Sequence, residues 1–137
     1  MFVYICNVKC NNILMQLNHL NLSVRDVAAS RTFFETYLGF TSADTKPNDT
    51  LAVLNGPGDF ILVLMHQRLN ENGNSTYPDS FHIGFYLPGD ADVLATYQRL
   101  KDGGILLPQA PQKIRRTFGF YFHYDDIMIE IATASFS

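Results

Sequence analysis

Cysteine is nearly missing from this chain, and so are long apolar runs and clusters of positive charge. Cys6 and Cys10 are the only cysteines among 137 residues. A disulfide framework is excluded, because such scaffolds space several bridges along the chain. Metal binding or oxidation at the C-x3-C pair gives way to a plainer reading, two idle thiols in an extension, since no further cysteine follows. The apolar stretch at the start, Phe2 to Val8, falls far short of the ~20 residues that cross a bilayer. Lys9 follows that stretch instead of preceding it, and Asn11-Asn12 stands where a signal peptide needs small residues. The sequence therefore predicts a cytoplasmic protein without membrane contact. Residues 1–14 form an N-terminal extension: either Met15, which opens the periodic pattern, is the functional start, or the extension is an added edge strand.

Positive charge is equally sparse. Lys and Arg number 10 against 13 Asp and Glu, for a net charge of -3, and the pI is near 5.7. The densest cationic stretch is Lys113-Ile114-Arg115-Arg116. A nucleic-acid partner is excluded on that ground, since no basic stripe could track a phosphate backbone. Hydrophobic content of 47% with only 17% charged residues places the chain among ordinary globular proteins.

What the chain does have is a repeat. His19-Leu20-Asn21-Leu22-Ser23-Val24 returns as His82-Ile83-Gly84-Phe85-Tyr86-Leu87, each a histidine heading an alternating strand. After each comes an amphipathic helix opened by Asp26 or Asp90 and closed by Gly39 or Gly103-Gly104. The first unit continues with short strands at Phe40 to Ala43, Thr50 to Leu54 and Phe60 to Met65. The second continues with Ile105 to Leu107, a Pro108/Pro111 loop, Thr117 to Tyr124 and Ile127 to Thr133. The fold class is α+β, built from two βαβββ modules, 15–67 and 80–137, joined by the polar linker 68–79 in a single domain. A module of ~60 residues is too small to cover its own sheet. The two must pack together or against a second chain.

The alternation places His19, Asn21 and Ser23 on one face of the first strand, and His82, Gly84 and Tyr86 on the matching face of its counterpart. Glu130 shares a face with Met128 and Ala132, opposite Ile127, Ile129 and Ile131. A carboxylate set in so apolar a run is costly to bury without a cationic partner. Two imidazoles and a carboxylate from the same faces of a duplicated unit make a 2-His-1-carboxylate metal site of His19, His82 and Glu130. The plainer alternative pairs Glu130 with Arg115 or Arg116 and leaves both histidines as hydrogen-bonded strand residues. His66, Tyr86, Tyr121 and His123 are the candidate acids or bases near such a site.

The stretches LNHLNLSVRDVAASRTFFETYLGF, FHIGFYL and FGFYFHYDDIMIEIAT resemble the vicinal oxygen chelate superfamily, the group of glyoxalase I, bleomycin-resistance proteins and extradiol dioxygenases. The resemblance spans Met15 to Ala134 and implies paired βαβββ modules in an open, barrel-like cup. It also implies a divalent ion (Fe, Mn, Zn or Ni) on His19, His82 and Glu130, and a homodimer whose sites can draw on both chains. The fourth ligand position, a carboxylate in glyoxalase I, falls on Val63, which neither ligates a metal nor removes a proton. The implied function is a metal-dependent enzyme, a lyase or an extradiol-type dioxygenase distinct from glyoxalase I. It would act on a small molecule chelated through vicinal oxygens. The alternative is a metal-free small-ligand binding protein of the bleomycin-resistance kind.

Overall fold

The structure is a computed structural model, and it describes residues 13–44, 48–72 and 77–134. Most of the extension, with Cys6 and Cys10, lies outside the described residues, as does part of the linker. Among the described residues the strands and α-helices run in the order β1 (His19–Val24), α1 (Val27–Tyr37), β2 (Thr41–Ser42), β3 (Leu51–Asn55), β4 (Ile61–His66), β5 (His82–Leu87), α2 (Asp90–Asp102), β6 (Gln112–Ile114), β7 (Thr117–Tyr124) and β8 (Ile127–Thr133). They form two four-stranded sheets of identical plan, β1-β4-β3-β2 and β5-β8-β7-β6. In each sheet the first strand runs parallel to the last and the remaining pairs are antiparallel. Neither sheet closes into a barrel.

The helices begin and end where the sequence placed them, with one exchange of roles. Asp26 caps α1 by accepting from the Ala29 amide at 2.9 Å. At α2 the cap residue is Gly89 rather than Asp90, and Asp92 reaches back to accept from the Gly89 amide at 3.1 Å. The sequence expectation of a strand at Ile105 to Leu107 is overturned. Gly104 takes φ +83, its amide donates to Lys101 at 3.1 Å, and the Ile105 amide donates to Leu100 at 3.0 Å. That pairing is a Schellman closure of α2, so Ile105 belongs to the end of the helix. The strand lies instead at β6, immediately after Pro111, where three residues pair with β7 across a tight turn. β1 also starts later than the alternation from Gln16 suggests, because its partner β4 begins only at Ile61.

Both sheets turn their apolar backs to one shared core containing Leu22, Leu64, Phe34, Val93, Phe120 and Ile129. Phe33 of α1 joins the modules, stacking on Tyr124 of β7 at 4.0 Å and meeting Phe122 at 6.2 Å. Phe40 meets Phe85 at 6.2 Å. Polar contacts follow the same seam. Arg99 of α2 donates to the last carbonyls of α1, Thr36 and Tyr37, both at 3.2 Å. Arg25 holds Asp125 at 2.6 Å and Asp126 at 3.0 Å, fixing a β7–β8 turn in which both aspartates have positive φ.

Tyr77, where the linker returns, accepts from the Ser23 amide at 2.6 Å and donates to the Ser23 carbonyl at 2.8 Å. Burial pushes its hydroxyl above the usual value of 10.0, against the lowering effect of the Ser23 contact. The phenol is therefore harder to ionise folded than unfolded, so its contribution is intact below pH ~10 and is lost as pH rises through the folded value. Urea titrations from pH 8 to 11 should show stability falling above pH ~10, with a shallower fall in Tyr77→Phe.

Candidate metal centre

The front of the second sheet is built by register. Gly84 lies opposite Glu130, and Glu130 lies opposite Tyr121, so these three form one row across β5, β8 and β7. His82, Met128 and His123 form the next row. His82 and Glu130 are thus diagonal neighbours, close enough for long side chains to meet. Gly84 leaves the space between them open: a Cβ at that position would stand 3.5 Å from Glu130 Oε1. The carboxylate lies over the glycine, and Oε1 comes to 3.7 Å from His82 Nε2.

The spacing of these two donors suits a shared metal ion. Two ligands at ~2.1 Å from one ion sit roughly 3–3.5 Å apart, near the distance found. His82 Nδ1 lies 3.1 Å from the Ser80 carbonyl, to which it donates, so the ring is oriented with Nε2 facing Glu130. The Glu130 side chain is only 18% exposed, and among the described residues no lysine or arginine pairs with it. The alternative of a Glu130–arginine pair therefore finds no support in the structure.

Tyr121 completes the cluster, its ring edge-on to His82 at 5.7 Å. Burial first, then the negative charge of Glu130, pushes its hydroxyl above the usual 10.0. It keeps its proton at neutral pH and is a donor rather than a base.

His19 takes the corresponding place on the other sheet. Asn21 lies opposite Val63 as Gly84 lies opposite Glu130, so the structure reproduces the repeat residue for residue. Its Nδ1 is 2.8 Å from Asn18 Oδ1, leaving Nε2 open to solvent. Yet no three His, Cys, Asp or Glu side chains gather into a metal-holding group among the described residues. His82 and Glu130 meet within the chain and His19 stands apart from them, because the sheets share a core through their backs.

The remaining candidates separate. His66 accepts from the Arg68 amide at 3.0 Å and caps a short turn after β4. Tyr86 stands on the front of β5, 65% exposed, and His123 is exposed one row away from Glu130. A groove of about 610 Å³ runs beside His82 along β1 and β5, which are edge strands among the described residues, lined by Leu17, Leu20, Phe60, Phe81 and Ile83. No local pattern encodes it, because it forms between strands far apart in the chain.

A family model for the Glyoxalase/Bleomycin resistance protein/Dioxygenase superfamily matches residues 16–132. The chain belongs to that superfamily. A possible glyoxalase from Bacillus cereus is 35% identical with a TM-score of 0.70, over 86% of this chain and 98% of that one. A glyoxalase/bleomycin resistance protein/dioxygenase from Nocardioides is 21% identical with a TM-score of 0.71, over 98% and 94%. A lactoylglutathione lyase from Agrobacterium tumefaciens is 17% identical with a TM-score of 0.70, over 88% and 95%. These last two share the fold. No curated protein matches the chain. No helix among the described residues is long and apolar enough to cross a membrane.

Proposed function

We propose that this superfamily member is a metal-dependent enzyme acting on a small molecule with vicinal oxygens. Its centre is completed across a homodimer by His82 and Glu130 of one chain and His19 of a second copy. The observation that carries this reading is the pairing of His82 Nε2 with Glu130 Oε1 at 3.7 Å on a free sheet front. His19 presents an open Nε2 on the equivalent front. A divalent ion on these residues would supply a Lewis acid with adjacent open positions for two substrate oxygens. The chain's own residues do the rest. Ser80 orients the His82 ring, Gly84 leaves Glu130 room to lie across the sheet, and Tyr121 holds a proton available to the reacting group. Val63 removes the carboxylate base of glyoxalase I. The reaction left to this centre is lyase-type addition or isomerisation, or extradiol-type oxygenation.

A metal-free binding protein is the second reading, favoured by the apolar groove beside His82 and by the lack of a third ligand among the described residues of one chain. Metal analysis separates the two. Protein purified without chelators is expected to carry one divalent ion per chain, and His82→Ala to carry none. A parent protein without stoichiometric metal would leave the binding-protein reading.

A further inference from the structure

The turn between β6 and β7 puts two arginines at the rim of the proposed centre. Arg115 and Arg116 line one concavity of about 610 Å³ together with Ile114, Thr117, Tyr121 and Glu130. Ile114 lies opposite Thr117 across the turn. Thr117 is on the same face of β7 as Tyr121, so this concavity belongs to the front that carries His82.

Three of the four other arginines have structural work. Arg25 clamps Asp125 and Asp126, Arg68 reaches Asp49, and Arg99 closes the end of α1. Arg115 and Arg116 are exposed and, among the described residues, take part in no ion pair. Arg115 also holds φ +54, a conformation for which two-residue hairpins prefer glycine. In a chain of net charge -3, the densest run of cations therefore stands beside the centre without an ion pair among the described residues. Lys113 and Arg116 line a smaller hollow next to it with Thr117 and one carboxylate, Asp90.

We infer that Arg115 and Arg116 form an oxyanion subsite, and that the substrate carries a carboxylate, phosphate or phosphonate group besides its vicinal oxygens. Guanidinium groups suit this role because their planar donors meet two oxygens at once. Glu130 opposes an anion in the same concavity until its charge is neutralised. Metal and anion should therefore favour each other's binding reciprocally. The inference rests on the proposed centre for its chemistry, but its test needs no metal.

The test is a titration of metal-stripped, chelator-free protein with inorganic phosphate and, separately, acetate, followed by NMR of the arginine side chains. Saturable shifts at Arg115 and Arg116 are expected with at least one probe, and the tighter probe identifies the anion class. Glu130→Gln should tighten binding severalfold. The Arg115→Ala/Arg116→Ala double variant should weaken it about tenfold or more, with its circular dichroism unchanged, and Arg31→Ala should leave it as in the parent. Absence of saturable shifts with both probes overturns the subsite, as does binding that survives in the double variant. Either result leaves the metal reading to its own assay, and loss of stoichiometric metal leaves this subsite standing.

Discussion

Neither His19→Ala nor Glu130→Gln protein should retain stoichiometric metal alone, yet a mixture of the two, unfolded and refolded together, should recover part of it. In a shared centre a mixed dimer joins His82 and Glu130 of the His19→Ala chain to the intact His19 of the Glu130→Gln chain. The other site of that dimer lacks both groups. Random pairing makes half of the dimers mixed, so about a quarter of the parent's sites should return. Loss of one ligand should cost at least ~100-fold in affinity, beyond the 10–100-fold seen when an outer-shell partner is removed. The recovered fraction is thus readable by equilibrium dialysis against a colorimetric chelator. No recovery from dimeric variants would show that the centre is not shared, and retained metal in His19→Ala alone would remove His19 from the ligand set. A monomeric parent mass by light scattering at micromolar concentration would overturn the dimer itself.

Phe33→Ala should cost ~3–5 kcal/mol of stability, the range for truncating a buried phenylalanine. Phe33 is 3% exposed. It touches Phe34 and Tyr37 on its own helix and Phe122 and Tyr124 on the other module. Its removal opens a cavity at the joint where α1 meets β7, and β7 also carries Tyr121. Against a total stability of ~5–15 kcal/mol for a domain, the loss is large. Urea denaturation should show it as a lower midpoint, while Leu106→Ala, at a site 83% exposed, stays within ~0.5 kcal/mol of the parent. A loss below ~1 kcal/mol in Phe33→Ala would mean that the modules are not held through this ring.

The repeat of histidine strands, the capped helices and the alternation of β7 and β8 are all legible in the sequence, because each is a local pattern. Thr117 to Tyr124 and Ile127 to Thr133 were placed to the residue, since alternation and a two-residue turn fix both ends of that hairpin. β6 was not legible. Ile105 carries the apolar character of a strand residue but is taken up by the Schellman closure of α2, and Gln112–Ile114 is a strand only by virtue of pairing with β7. The groove between the edges of β1 and β5 lay beyond the sequence for the same reason.

By itself the sequence determined the two modules, the equivalence of His19 with His82 and of Val63 with Glu130, and the face on which each stands. A periodicity of two settles the face of a strand residue without knowledge of its neighbours. Only the tertiary structure decided which of those faces meet. By burying both sheet backs in one core, it joined His82 to Glu130 and Tyr121 through strand register and left His19 on a separate front. The contacts that made that choice, Phe33 on Tyr124 and Arg25 on Asp125, join residues about ninety to a hundred positions apart, beyond the reach of any local pattern.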